Sequence, residues 1–210
     1  MHKTSSFLLL FLVFFFGACE TKTSQETQTS QKTKHTEALN PNPIQKNIIL
    51  EHKLNALSDT FTLSSLSGEY YTVTVSNKKV TFKESHQGII LLSFFATWSL
   101  PCLPEIPYLN ILQKQYSKDL FIAGILVHDK IKADDFKTFI KKHSIDYYLS
   151  NSPQNNKFAS LVSKTLKLPK AFSIPLTVMY VGGEYFTHYE GIVPIEMIRY
   201  DIEQAQESLK

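Results

Sequence analysis

Arginine is almost missing from this chain: Arg199 is the sole one, in a basic set of 22 that exceeds the acidic set by three. A nucleic-acid reader concentrates arginine and lysine on one face, so this thin, scattered excess argues against nucleic acid as a partner. Cysteine is as scarce. Cys19 and Cys102 are the whole supply, which excludes a disulfide-stapled scaffold and any zinc centre built from cysteine pairs. The seven histidines show neither His-x-His nor His-Glu-x-x-His spacing, and the seven glycines form no phosphate-cradling loop. No metal and no cofactor are therefore expected. Charged residues make up 20% and hydrophobic ones 43% of 210 residues, which fits one globular domain with an appendage.

The appendage is at the amino terminus. Lys3 supplies a positive start, Phe7 to Phe16 form an unbroken apolar run, and Gly17-Ala18 place small residues before Cys19. Ten apolar residues are too few to span a hydrocarbon core of about 30 Å as a helix, so residues 1–18 read as a secretory signal peptide. Phe16-Gly17-Ala18-Cys19 resembles a bacterial lipobox, which implies cleavage before Cys19 and diacylglycerol on its sulfur. Two acyl chains suffice for stable attachment. The expected place is the cell envelope, on its periplasmic side, held by a lipid anchor. Plain secretion is the alternative. Residues 19–45 are the lipidated cysteine and a tether of Thr, Ser, Gln and Lys, too polar to offset its ordering entropy. A coil of about 25 residues reaches roughly 25 to 30 Å.

Residues 46–210 read as one α/β domain. Short β-prone runs between Phe61 and Glu84, broken at Ser67-Gly68 and Ser76-Asn77, predict an antiparallel leader. IILLSFFA after Gly88 and FIAGILV from Phe121 are continuous apolar runs of strand length, as in strands covered on both faces. Between them Leu109, Leu112 and Tyr116 recur at helical spacing, so the two strands are parallel across a helical crossover. Further helices are expected from Asp134 to His143 and from Phe158 to Leu166. PLTVMYV from Pro175, a Gly182-Gly183 hairpin turn and EYFTHYE follow, and the last helix turns Ile195, Ile198 and Ile202 inward.

This is the element order of the thioredoxin fold: a central mixed sheet flanked by helices, here with an N-terminal β leader. The segment FFATWSLPCLPEIPYL resembles the active-site segment of TlpA- and ResA-type thiol-disulfide oxidoreductases, in which a strand runs into Ala-Thr-Trp, Cys-x-x-Cys and x-x-Glu-x-Pro. Ala96-Thr97-Trp98, Pro101-Cys102, Glu105 and Pro107 match, and Ile174-Pro175 stands where the family has a cis-proline. The first cysteine does not match. That position is Ser99, and the resemblance spans roughly residues 60 to 208.

In the intact motif the first thiolate, stabilised at a helix amino terminus, attacks a disulfide and the second thiol resolves the mixed disulfide. Ser99 supplies no thiolate, so ordinary dithiol exchange is excluded and Cys102 is left alone. The helix is expected to be capped by Ser99, its hydroxyl accepting from the Cys102 N–H. Cys102 then reads as a thiol forming mixed disulfides, as a site of sulfenic acid formation, or as an inert small core residue. Glu105 is a candidate proton acceptor or an exposed surface carboxylate. Ser93 stands where thioredoxin itself keeps a buried acid, which removes one proton acceptor.

Trp98, expected at a half-buried rim, and Pro101, with Ile174 and a cis Pro175, form the implied surface for docking an extended peptide. The function implied is thiol-disulfide handling through Cys102, with extracytoplasmic protein thiols or disulfides as partners. The alternative is a non-catalytic peptide-binding module. A peroxiredoxin-like Ser-x-x-Cys core is a weaker fit, since Phe95 replaces the motif proline and the one arginine is in the last helix.

Overall fold

A computed structural model describes residues 42–43, 45–46 and 58–210. The expected signal peptide, Cys19 and most of the expected tether lie outside the described residues. Three antiparallel strands open the domain: β1 (Ser58–Ser64), β2 (Tyr70–Ser76) and β3 (Lys79–Phe82). The chain then lays down β4 (Ile89–Phe95), α1 (Glu105–Gln115), β5 (Leu120–Leu126) and α2 (Ala133–Lys142). It ends with β6 (Tyr148–Ser150), α3 (Asn155–Thr165), β7 (Leu176–Val181), β8 (Glu184–Glu190) and α4 (Ile195–Ser208).

All eight strands form one sheet in the order β1-β2-β3-β8-β7-β4-β5-β6. β4 pairs parallel with β5 and antiparallel with β7, so the apolar run after Gly88 lies at the centre. Every residue of β4 and β5 is buried, as two covered faces require. Ile90, Leu92 and Phe94 face a core completed by Phe158, Ala159 and Val162 of α3. Ile89, Leu91 and Phe95 join the opposite core with Leu109 and Leu112 of α1, Phe136 of α2, and Ile198 and Ile202 of α4. Each fully buried apolar side chain of this size contributes about 1.5–3 kcal/mol before entropy is counted. The β7–β8 hairpin turns on Gly182 and Gly183, both at positive φ (58° and 82°), where a Cβ is disfavoured.

The expected antiparallel leader extends the main sheet, β3 meeting β8 at Lys79 and Glu184. Two details depart from the sequence reading. β6 has three residues, too few to show a period in sequence, yet it adds a third parallel strand beside β5. α3 starts at Asn155 rather than Phe158. The buried Asn155 amide donates to the carbonyls of Leu126 and Ser150, and this locks the start of α3 to the ends of β5 and β6.

Candidate functional site

The site grows from one row across the sheet. Ser93 of β4 lies opposite Thr177 of β7 on one side and Gly124 of β5 on the other, and Gly124 lies opposite Leu149 of β6. The Glu105 side chain, from the first turn of α1, comes down on this row. Thr177 Oγ1 donates to Glu105 Oε1 at 2.9 Å, and Ser93 Oγ donates to Oε2 at 3.3 Å.

Glu105 is therefore not a surface carboxylate: it is 5% exposed. Burial pushes its carboxyl above the usual range, and the two hydroxyl donors pull it part of the way back. Nor does Ser93 strip the site of acid. Its small side chain leaves room for a carboxylate from α1 and hydrogen-bonds it.

The link from β4 to α1 carries the motif. Ser99 precedes a single 3-10 turn, Leu100–Cys102, and α1 begins only at Glu105. The Cys102 N–H donates to the Ser99 main-chain carbonyl at 2.9 Å, and the Ser99 side chain makes no capping bond. This corrects the expected cap. Pro101 lies inside the turn and Pro104 follows it, and with the Cys102 amide already bonded, the Ser99 hydroxyl is free to accept from the Cys102 thiol at 3.1 Å. Cys102 is 1% exposed. Its thiol is pushed up, by burial first and also by the nearby Glu105 charge, against a lowering from the Ser99 hydroxyl. A neutral, covered thiol is the resting state.

Trp98 and Leu100 are the opposite: 62% and 77% exposed. Trp98 thus stands out from the rim instead of half-burying in it. Its indole N–H donates to the His128 carbonyl at 3.2 Å. Beside it, the Thr97 N–H and hydroxyl both donate to Asp129 Oδ2, at 2.7 and 2.6 Å. His128 adopts φ 52° and donates its N–H to Asn156 of α3. Loop 96–98 is thereby fixed to the loop after β5.

The Ile174-Pro175 peptide is cis, as expected. Ile174 packs against the same core that contains Cys102, and Thr177, two residues beyond Pro175, ties this loop to α1 through Glu105. Ser99, Cys102 and Glu105 are thus brought into one cluster, with Trp98 and Leu100 outside it.

The sequence reading missed Thr177, Asp129, His128 and Tyr147. Tyr147 is buried, and its phenol is pushed far up, by burial first and then by Glu105. None of these four sits in a local motif; each joins the site by a long-range pairing or a loop.

No protein-family model matches the chain. The chain is 34% identical over 65 residues to the thioredoxin-like protein YneN of Bacillus subtilis (strain 168), a stretch covering 31% of this chain and 33% of that one. The match thus spans about a third of the curated relative. Two solved structures superpose more widely. A thiol:disulfide interchange protein of the thioredoxin family from Chlorobium tepidum TLS shares 19% identity over 70% of this chain and 92% of its own, with a TM-score of 0.53. A chain solved under the name thiol:disulfide interchange protein DsbE, from Chlorobium tepidum, gives 18%, 70%, 93% and a TM-score of 0.51.

The fold is thioredoxin-like. Its solved neighbours are thiol:disulfide interchange proteins, and the mixed α/β sheet flanked by helices is the one the sequence implied. Within this thioredoxin-like frame, Ser99-Leu100-Pro101-Cys102 occupies the link between the central strand and the first helix. Among the described residues no helix is long and apolar enough to cross a membrane.

Proposed function

We propose that this protein works in the cell envelope, lipid-anchored through Cys19, and binds extended segments of extracytoplasmic proteins at its thioredoxin-like site without routine electron exchange. One observation carries this. Cys102, the only thiol among the described residues, is 1% exposed and donates to Ser99, while Trp98 and Leu100 of the same loop are 62% and 77% exposed. A covered neutral thiol does not attack disulfides, whereas an exposed aromatic on the loop leading to Cys102 offers contact area to an extended chain, and the cis-proline loop, whose Ile174 packs on the core that holds Cys102, offers backbone groups. The neighbours' names point to protein thiols and disulfides as the clients.

A second reading keeps chemistry at Cys102. Glu105 is buried, in electrostatic reach of the thiol and hydrogen-bonded by Ser93 and Thr177, a place from which a carboxylate accepts a proton once a client uncovers the site. The thiolate would then attack a client disulfide. A mixed disulfide forms, and one client sulfur leaves as thiolate.

Alkylation of Cys102 against pH, alongside capture of an unfolded exported protein, separates the two. Binding without exchange predicts that Cys102 reacts only on unfolding, that Cys102→Ser keeps capture, and that Trp98→Ala loses most of it. Capture that is covalent, reductant-sensitive and lost in Cys102→Ser would replace the first reading with the second.

A further inference from the structure

The longest stretch without a carboxylate in the folded domain runs from residue 147 to 183 and includes all of α3. Its lysines are Lys157, Lys164, Lys167 and Lys170. Lys157 and Lys164, seven residues apart, lie on one side of α3, and Lys167 and Lys170 follow its last turn.

Two hollows run along that side. One, of about 260 Å³, is lined by Ser58, Asp59 and Lys157 among others; the next, of about 400 Å³, is lined by Lys164, Lys167 and Lys170. They share Ser160 and Lys164, so they form one trough. Lys157 is neutralised there by Asp59, at 2.5 Å. Lys164, Lys167 and Lys170 have no carboxylate partner among the described residues, and all three are exposed.

Lys167 adds a second sign that charge is kept here. It follows α3 at φ 61°, and the Leu168 N–H donates back to the Ser163 carbonyl at 3.0 Å, the closing bond of a Schellman turn. Glycine fits that left-handed position without strain. A lysine holds it instead.

Placement says what meets this face. β1 begins at Ser58, and Ser58 and Asp59 line the near end of the trough, so the segment leading from Cys19 joins the domain beside it. We infer that the α3 trough, through Lys164, Lys167 and Lys170, is the face the domain lays on an anionic lipid surface. The inference rests on the lipid-anchor reading for delivery to the bilayer. Lysines near such a surface are attracted within a Debye length, and an acyl anchor with a basic patch holds better than either alone. α1, on the opposite face of the sheet, is then turned away from the lipid.

The test is amine acylation of the full lipidated chain on vesicles of phosphatidylcholine, with and without phosphatidylglycerol, read lysine by lysine. Lys114 and Lys118, at and just beyond the end of α1, are the internal controls. Phosphatidylglycerol should slow acylation of Lys164, Lys167 and Lys170 about fivefold relative to those controls, and high salt should reverse it. Replacing the three by glutamine should free Lys157 from any vesicle dependence. Equal rates on the two vesicles would overturn the inference. So would protection by soluble polyglutamate with none by vesicles, which would assign the trough to an acidic protein. Flotation on phosphatidylcholine alone reports the anchor separately: a chain that fails to float there refutes the anchor, while the anionic vesicles still decide the trough.

Discussion

The Cys102 thiol donates to the Ser99 hydroxyl at 3.1 Å across a single 3-10 turn. A sulfur in place of that oxygen needs to close by about 1 Å to reach disulfide bonding distance. Ser99→Cys should therefore form an intramolecular disulfide with Cys102 under mild oxidant and gain disulfide reductase activity absent from the parent. A thiol count that stays unchanged on oxidation would mean that the turn cannot present two sulfurs to each other.

Glu105 gives the site a pH signature. Burial raises its carboxyl above 4.5, so the fold favours the protonated form. That preference is fully present below about pH 4.5 and is lost as pH rises through the raised value, where a buried charge must be carried. Glutamine carries none. Glu105→Gln should match the parent near pH 4 and be the more stable of the two at pH 7, where only the parent carries the buried charge. Urea titrations at the two pH values check this, and equal differences at both would refute it.

Much of this arrangement was legible in the sequence. The apolar runs of β4 and β5, the glycine pair of the hairpin and the inward isoleucines of α4 are local patterns, and local patterns survive folding. Ser99, Cys102, Glu105 and Pro175 could be named for the same reason, from one short segment and one dipeptide. What failed was whatever depends on register. Glu105 is buried because α1 starts three residues beyond Cys102 and because Ser93 pairs beside Thr177; neither fact has a sequence period. The exposure of Trp98 follows from a bond to a carbonyl thirty residues on, which composition does not carry.

Asp129 is the clamp between the motif loop and the loop after β5. It accepts from the Thr97 N–H and hydroxyl and, at 2.9 Å, from the Ile131 N–H. Hydrogen bonds to a charged group are worth about 1.5–3 kcal/mol each, less where water can substitute. Asp129→Ala should cost about 2 kcal/mol of stability and raise amide exchange at Thr97 and Ile131 first. Unchanged exchange at those two amides would show that the loop is held by other contacts.

Gly124 sets how closely β6 and Tyr147 approach the site. An added Cβ there would lie 2.4 Å from Leu149 Cδ2, 3.1 Å from Tyr147 Cε2 and 3.3 Å from Phe95 Cε1. Three buried groups cannot all yield, so Gly124→Ala should destabilise by about 1–3 kcal/mol despite alanine's lower unfolded entropy. The strain falls first on Leu149 and then on Tyr147, which lies within electrostatic reach of Glu105 and Cys102. Alkylation of Cys102 should therefore quicken in the folded variant under conditions where the parent is protected. A variant that is destabilised yet keeps Cys102 fully protected would separate packing at β6 from cover over the thiol.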